Sequence, residues 1–475
     1  MKFDYDIIIL GGGGGGITAA KLAQGLGKKT AMIDKRRFGG ECTWSGCVPS
    51  KALLHSAKVA ELVRNLDKYG LAGTGQNIVN SSSVMSVVRK TINEIYDNEK
   101  PESFEKLGIT AMENASVRFT DSNTIEVNGS KMTSGKFLIA TGSSPMVPPI
   151  NGLSQVPFYT NENIFSMETL PGSMIIMGGG PIGIELASAF NRLGVKVSVI
   201  EMAKTILIRE DLELSAMLSD ILTKEGVRLI TGSRVVSVEN PSNPTIVFEA
   251  NGIQEKLAAD VILVAAGRKP NIEGLGLKEI GVDFDARGIT VDRYLRTSLR
   301  NIYAAGDVVG PYQFSHMANY QAIVAVSNAF LPLKRRVRYD AVPWCTFTDP
   351  ELSRSGLTES EARERFGSGV RVYRALYSSL DRAHTDRAVN GLAKFICSKN
   401  GKILGVHILG ERAGEVMHEA HAARALNIPL YRLNSVIHTY PTYSELVRQA
   451  ARAAYIDRIQ SNPIVKLAKL FRRSK

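Results

Sequence analysis

Short apolar runs that lead into glycine recur along the chain. Residues 5–10 and 174–177 are two such runs, and each precedes a Gly-x-Gly-x-x-Gly segment and a helix-compatible stretch. A second apolar run follows each of these helices, over residues 30–33 and 195–200, and an acid stands at its end. The first glycine and the acid are 23 positions apart in both copies. This matched spacing predicts two βαβ units built on one plan.

Further apolar runs predict strands that return toward a glycine, over residues 137–142, 261–267 and 302–306. Between the two copies, the pattern predicts helices near 58–66 and 84–103 and one strand-like segment over 114–127.

From about residue 338 the pattern changes to strands alternating with longer helices. The predicted strands lie at 394–396 and 403–408, and the predicted helices at 413–426 and 444–459. The expected fold class is therefore α/β, with two Rossmann-like dinucleotide-binding domains and a C-terminal α+β domain.

The two glycine segments have the composition of dinucleotide-binding turns. The first glycine permits a tight turn, the second lets the backbone approach a pyrophosphate, and the third lets the helix pack on the strand. An acid at the end of the next strand then hydrogen-bonds a ribose hydroxyl. The glycines are Gly11, Gly13 and Gly16 with the acid Asp34, and Gly178, Gly180 and Gly183 with the acid Glu201.

Glu201 indicates which nicotinamide cofactor the second unit prefers. A carboxylate at this position repels a 2′-phosphate, and no arginine stands beside it in the segment from Glu201 to Lys204. NAD is therefore favoured over NADP.

Cys42 and Cys47 are five positions apart in the segment 39–51. Positions five apart in an ideal helix lie roughly 8 to 9 Å apart, which is beyond the reach of a disulfide. A bridge therefore needs a break in the helix, which Gly46 allows, and a strained bridge is easily reduced. The alternative is that the two cysteines are buried and unbridged. Cys345 and Cys397, which stand alone in strand-like segments, are predicted to be buried and unbridged in the same way.

Composition limits the protein class. The chain has 475 residues, a net charge of +12 and four cysteines, so we expect several domains in a reducing, cytoplasmic compartment. No apolar stretch is long enough to span a bilayer, and we expect no nucleic-acid partner and no metal site. Residues 461–475 are basic and acid-free and predict either an amphipathic tail on anionic membrane or a solvated or dimer-packing terminus.

The segment 39–54, with the glycine motifs around it, closely resembles the pyridine nucleotide-disulfide oxidoreductases, which include dihydrolipoamide dehydrogenase and mercuric reductase. The resemblance covers residues 4–458 in order. It implies a homodimer that uses FAD and a nicotinamide cofactor. The implied domains are 1–150 (first part of the FAD domain), 151–272 (NAD domain), 273–337 (rest of the FAD domain), 338–460 (interface domain) and 461–475 (basic tail).

The resemblance also implies roles for individual residues. Cys47 would face the flavin as thiolate, and Cys42 would exchange with the substrate. Lys51 and Glu185 resemble the charged residues near the flavin and nicotinamide rings, with a phosphate-side lysine and a surface glutamate as the alternative. The implied FAD residues are Gly11, Gly13, Gly16, Asp34, Lys51, Ala115, Gly142 and Asp307. The implied nicotinamide residues are Gly178, Gly180, Gly183, Glu185, Glu201 and Gly267.

One position departs from the family pattern. Members that act on dithiols have a histidine before the proline of a His-Pro-Thr-x-x-Glu motif, and this chain has Tyr440 there, while Glu445 is kept. A phenol is a poor base at neutral pH. His438, two residues earlier, is either the substitute base or a surface or packing histidine.

Three functions follow. The leading prediction is a dihydrolipoamide dehydrogenase-like enzyme acting on a disulfide or dithiol such as a lipoyl group. The second is a mercuric reductase-like enzyme for metal ions or other non-thiol acceptors. Mercuric reductases deliver the metal through a C-terminal cysteine pair and often have an N-terminal metal-binding domain. We expect neither in this chain. The third is a slow flavin- and NADH-binding sensor or membrane-docking protein.

Overall fold

A computed structural model describes residues 2–72 and 79–465. The α-helices are α1 (Gly14–Gly25), α2 (Gly40–Trp44), α3 (Cys47–Arg64), α4 (Ser81–Tyr96), α5 (Pro101–Glu105), α6 (Pro181–Arg192), α7 (Leu212–Lys224), α8 (Ser315–Phe330), α9 (Glu359–Phe366), α10 (Asp381–Thr385), α11 (Ala413–Ala425) and α12 (Glu445–Ser461).

The strands are distributed among these helices along the chain. They are β1 (Ile7–Leu10), β2 (Thr30–Ile33), β3 (Thr110–Met112), β4 (Val117–Asp121), β5 (Thr124–Val127), β6 (Ser130–Thr133), β7 (Phe137–Ile139), β8 (Ser143–Pro145), β9 (Ser173–Met177), β10 (Lys196–Ile200), β11 (Arg228–Ile230), β12 (Ser233–Glu239), β13 (Thr245–Ala250), β14 (Ile253–Ala258), β15 (Val261–Val264), β16 (Arg268–Pro270), β17 (Phe284–Asp285), β18 (Gly288–Ile289), β19 (Ile302–Ala304), β20 (Pro343–Thr346), β21 (Glu351–Gly356), β22 (Val370–Leu376), β23 (Leu392–Ser398) and β24 (Ile403–Gly410).

The structure divides into two compact units. Unit 1 comprises Met1–Gly178, Leu193–Lys196 and Arg234–Val337, and unit 2 comprises Gly179–Arg192, Val197–Ser233 and Arg338–Lys475. The residues of the expected NAD domain, 151–272, fall in both units, so this division does not decide the domain boundaries, which stay a prediction.

The main sheet of unit 1 has five parallel strands in the order β19-β7-β1-β2-β3. Helices α1 and α8 cover one face through small side chains such as Ala19, Ala23 and Ala322. The antiparallel strands β4, β5 and β6 contribute to the apolar core on the other face, with Phe119 packed edge-on against Phe137. The carboxyl ends of parallel strands form one edge of the sheet, where ligands of open α/β folds bind.

Unit 2 contains an antiparallel sheet of five strands in the order β20-β21-β24-β23-β22. Its main core joins this sheet to α11 and α12, and a smaller cluster beneath α9 includes Ala362 and Ile396. Parallel pairing also occurs outside the main sheet of unit 1, between β9 and β15 in unit 1 and between β10 and β11 in unit 2. These sheets confirm the predicted α/β fold class.

Two element predictions were wrong. The segment 84–103 is not one helix, because α4 ends at Tyr96 and α5 begins at Pro101. The segment 114–127 is not a single strand, because β4 and β5 form a hairpin around residues 122–123. The Asp121 carboxylate accepts a hydrogen bond from the Asn123 N–H at 2.7 Å, which is the side-chain turn that aspartate favours.

Candidate active site

The first glycine motif forms a tight turn at the end of β1. Gly11 has a φ of +111°, and a Cβ atom there would lie 2.2 Å from the Ala140 carbonyl oxygen. A Cβ at Gly16 would lie 1.8 Å from the Gly11 carbonyl oxygen. Larger residues therefore cannot occupy either position without displacing the backbone.

The backbone around Gly13 leaves the start of α1 open to a phosphate group. Gly13 precedes α1 and provides no side-chain cap, and the first turn of the helix has no acid. The peptide N–H groups of that turn are donors that a pyrophosphate satisfies. A Cβ at Gly40 would lie 2.7 Å from the Gly13 Cα, so glycine is also required on the opposite wall. These features fit the FAD pyrophosphate.

Asp34 lies directly after β2 and beside this turn. Its carboxylate accepts hydrogen bonds from the Gly12 N–H at 2.5 Å and the Arg36 N–H at 2.7 Å. The acid is thus fixed by the backbone where a ribose hydroxyl is expected.

In unit 2, Glu201 is held in the same manner. Its carboxylate accepts hydrogen bonds from the Gly179 N–H at 2.5 Å and the Ala203 N–H at 2.7 Å. A Cβ placed on Gly180 would meet no atom within 4 Å, while Gly183 is buried within α6. This arrangement fits the adenosine end of a nicotinamide cofactor.

The other expected cofactor residues in unit 1 lie as follows. Gly178 has a φ of +116°, and a Cβ there would lie 2.4 Å from the Ala265 carbonyl oxygen. Ala115 is buried, and its N–H donates to the Asp34 carbonyl oxygen. Gly142 and Gly267 have φ of +71° and +123°. Lys51 lies one helical turn after Cys47 in α3.

The cysteine pair spans a break between two helices. Cys42 lies in α2, and α3 begins at Cys47. Ser45 and Gly46 separate the helices, and Gly46 has non-helical dihedral angles. This confirms the predicted interruption at Gly46. The structure holds both cysteines as thiols.

The two cysteine side chains form a hydrogen bond with each other. This bond, together with burial, raises the pKa of the Cys42 thiol, and the charge of Glu99 adds to the effect. A third group was not found from the sequence: Ser315 Oγ lies 3.5 Å from Cys47 Sγ. Ser315 follows the expected flavin residue Asp307 by eight positions, but nothing in that spacing predicts the contact.

A polar network beside the pair was also missed by the sequence analysis. Arg268 makes a bidentate ion pair with Glu41, the residue before Cys42, and also hydrogen-bonds Ser143. Ser143 donates in turn to the expected flavin residue Asp307 at 2.7 Å. Burial raises the pKa of Glu41 to about 7, against the opposing charge of Arg268. Burial also raises the pKa of Asp307.

Glu185, expected near the nicotinamide ring, is not a surface glutamate. It is buried in α6, and its carboxylate accepts a hydrogen bond from the Phe347 N–H at 2.8 Å within unit 2.

The expected acid-base residues in unit 2 have separate partners. The Tyr440 hydroxyl donates to the Asp381 carboxylate, and this bond raises the pKa of Tyr440. The Glu445 carboxylate is bound by Arg448 through two hydrogen bonds of 2.7 and 2.6 Å. Tyr440, Asp381 and Glu445 line one cavity of about 90 Å³.

His438 points to other groups. Its Nε2 lies 2.9 Å from a Glu419 carboxylate oxygen, and its Nδ1 lies 3.0 Å from the Val436 carbonyl oxygen. Both ring nitrogens therefore face hydrogen-bond acceptors.

No helix within 2–72 and 79–465 is long and apolar enough to cross a membrane, and no cluster of metal-ligating side chains occurs there. The expected contact of the tail with anionic membrane concerns residues 461–475, of which 466–475 lie outside the described residues. That contact has no support, and the cytoplasmic location stays a prediction.

The parallel sheets and two similarly held acids define a dinucleotide-binding oxidoreductase, with a thiol pair beside the first motif. Comparison then identifies the family: the chain matches the pyridine nucleotide-disulphide oxidoreductase model over residues 5–327 and the dimerisation domain of that family over 342–451. The chain belongs to this family. It is a flavoprotein oxidoreductase using FAD and NAD(P)H, and its dimerisation domain supports a homodimer.

Individual relatives carry different names. Mercuric reductase of Bacillus cereus is 34% identical over 94% of this chain and 71% of its own length. Dihydrolipoyl dehydrogenase of Bacillus subtilis is 34% identical over 96% of this chain and 98% of its own length. Among solved structures, the HOCl-induced flavoprotein disulfide reductase RclA of Escherichia coli, in a Cu(II) complex, matches with a TM-score of 0.84 and 27% identity, over 95% of this chain and all of that one.

Proposed function

We propose that this protein is an NAD-linked disulfide oxidoreductase in which Cys42 and Cys47 alternate between dithiol and disulfide. The observation that carries the proposal is the hydrogen bond between the two thiols across the break after α2. FAD would be held by the residues around Gly11, Gly13, Gly16 and Asp34, and when bound it supplies two-electron transfer between nicotinamide and sulfur.

The cysteines have different tasks in this proposal. The Cys42 thiolate attacks one sulfur of the substrate disulfide, and the other substrate sulfur leaves with the bonding electron pair and takes up a proton. Cys47 then attacks the Cys42 sulfur of the mixed disulfide. This step forms the internal disulfide and releases the second substrate thiol. The substrate gains two electrons, and the cysteine pair loses two.

The dihydrolipoyl dehydrogenase relative supports a lipoyl-type disulfide or dithiol as the substrate. Tyr440 favours a second candidate, an enzyme for metal ions or other non-thiol acceptors. Its hydroxyl donates to Asp381, so it does not serve as a base at neutral pH. Reduction of a metal ion needs less proton transfer at sulfur, and the relatives include a mercuric reductase.

One rapid-mixing experiment separates the two candidates. The holoprotein is reduced anaerobically with NADH and mixed in turn with lipoamide, oxidised glutathione and Hg(II), while the flavin absorbance is followed. Fast reoxidation by lipoamide supports the first candidate, and fast reoxidation by Hg(II) alone supports the second. Failure of all three acceptors would reject both and favour a sensor. Cys42→Ser is the control that should abolish reoxidation by disulfides.

The preference for NADH is a separate part of the proposal. Glu201 is fixed by two backbone N–H groups, so its charge cannot move away from a 2′-phosphate. We expect Glu201→Ala to narrow the ratio of kcat/KM for NADH over NADPH by roughly tenfold, which corresponds to ~1.4 kcal/mol. Glu201→Gln keeps the shape and removes the charge, and it should narrow the ratio too. Equal use of both cofactors by the unaltered protein would contradict the preference.

A further inference from the structure

A side chain from a distant part of unit 1 contacts both cysteines. Ser315 Oγ lies 3.5 Å from Cys47 Sγ, although the residues are 268 positions apart. The same hydroxyl hydrogen-bonds the Cys42 side chain and lowers the pKa of that thiol. One hydroxyl group is therefore placed to donate to either sulfur.

Two helices begin at this point. Cys47 is the first residue of α3, and Ser315 is the first residue of α8. Neither helix has a side-chain cap or an acid in its first turn within the described chain. The partial positive charge of a helix N-terminus stabilises a thiolate, so the backbone favours negative charge on Cys47 and the Ser315 hydroxyl reinforces it.

Acidic side chains near the pair oppose thiolate formation. Glu99, which accepts a hydrogen bond from the Thr43 hydroxyl at 2.7 Å, raises the pKa of Cys42. Glu41 is the second acid at the pair; its charge interacts with Cys47, and Arg268 opposes that charge. The two thiols therefore differ in surroundings: Cys42 is partly buried and is influenced by Glu99, whereas Cys47 is exposed at the start of α3, with the Ser315 hydroxyl 3.5 Å from its sulfur.

We propose that Ser315 sets which cysteine carries the negative charge, by donating its hydroxyl hydrogen to the Cys47 thiolate in the reduced protein and to the Cys42 thiolate when Cys42 attacks a substrate. The inference rests on the proposed function, because it requires a pair that cycles between dithiol and disulfide. Ser315 keeps its own proton throughout. It contacts the reacting sulfurs and sets their acidity.

The test measures thiolate formation directly. The FAD-containing protein and its Ser315→Ala variant are reduced with NADH, and iodoacetamide alkylation is followed against pH with mass-spectrometric assignment to each cysteine. The thiolate-to-flavin absorbance band is recorded over the same pH range. Loss of a hydrogen bond to a charged group should move the midpoint for Cys47 upward by about one pH unit in both measurements.

Matched variants separate the hydroxyl from the fold. Ser315→Thr keeps a hydroxyl and should retain the original midpoint, whereas Ser315→Val has nearly the same shape without it and should behave like Ser315→Ala. Ser50→Ala is the control, because Ser50 Oγ donates to the Cys47 carbonyl oxygen at 3.4 Å and not to its sulfur. Its midpoint should not change.

The outcomes distinguish this inference from the proposed function. If NADH does not make Cys42 or Cys47 of the unaltered protein accessible to alkylation, the proposed function fails and the inference with it. If the unaltered protein passes that test but Ser315→Ala and Ser315→Val keep its midpoint, the inference alone is overturned.

Discussion

The cysteine region of unit 1 and the tyrosine region of unit 2 were both predicted from short motifs, but their surroundings differ. In the first, Cys42 and Cys47 contact each other, and a distant residue, Ser315, contacts both. In the second, Tyr440 and Glu445 share a cavity but are bound to Asp381 and Arg448. A motif located from the sequence therefore does not show which groups its side chains contact, and only the tertiary structure identifies those partners.

The largest expected effect is at Cys47. Cys47→Ser should lower turnover of disulfide substrates by at least about 10³-fold, since a hydroxyl cannot form the internal disulfide, and the thiolate-to-flavin band should disappear. Anaerobic titration with NADH measures the band. Cys345→Ser makes the same change in β20 and should keep both properties. If the Cys47→Ser protein retained the band, Cys47 would not be the thiolate that faces the flavin. The contrast between the cysteine region and the tyrosine region would then no longer hold.

A smaller effect is expected at Tyr440. The bond to Asp381 raises the pKa of this phenol, so it remains protonated at neutral pH. Tyr440→His should supply an imidazole and raise lipoamide turnover near pH 7 by up to about 10²-fold. Steady-state turnover from pH 6 to 8 measures this gain, and Tyr440→Phe should change little.

His438→Ala serves as the second control for this region. We expect little change, because Glu419 and the Val436 carbonyl already face both ring nitrogens. A marked loss of lipoamide turnover in His438→Ala would show that His438 acts as the substitute base. A Tyr440→His variant slower than the original would show that the tyrosine has a positive role there.

The smallest expected effect is on the pH dependence of stability. Burial raises the pKa of Glu41 from its usual value near 4.5 to about 7. The folded protein therefore binds a proton that the unfolded chain releases, so this contribution is present below pH 4.5 and lost as the pH rises through 7.

In unit 2, burial lowers the pKa of His407 from 6.5 to about 4, and its contribution is lost as the pH falls between those values. Glu41→Gln should reduce the change in melting temperature between pH 5 and pH 7 by about 2–4 °C. His407→Gln should reduce the corresponding change at lower pH. Thermal unfolding of the holoprotein checks both. An unchanged profile in Glu41→Gln would show that Arg268 keeps Glu41 ionised throughout.

The sequence by itself determined the βαβ units and the turns that close them. Gly11 and Gly178 have positive φ, and a side chain at either position would collide with backbone. Although the carbonyls that those side chains would meet, of Ala140 and Ala265, lie far along the chain, the need for a positive φ is a property of the residue itself and therefore remains visible as spacing. The same is true of Asp34 and Glu201, which the fixed interval placed beside the turns, and of Gly46, which interrupts the helix between the cysteines.

The tertiary structure alone decided the partners of these groups. Ser315 reaches Cys47 across 268 positions, Arg268 reaches Glu41 across 227, and Asp381 reaches Tyr440 across 59. Contacts at such separations depend on how α8, β16 and α10 pack, and packing is set by many small apolar contacts that no short motif records. For this reason the motif containing Tyr440 and Glu445 could be located from the sequence, whereas Asp381 and Arg448 as the partners of its side chains could not.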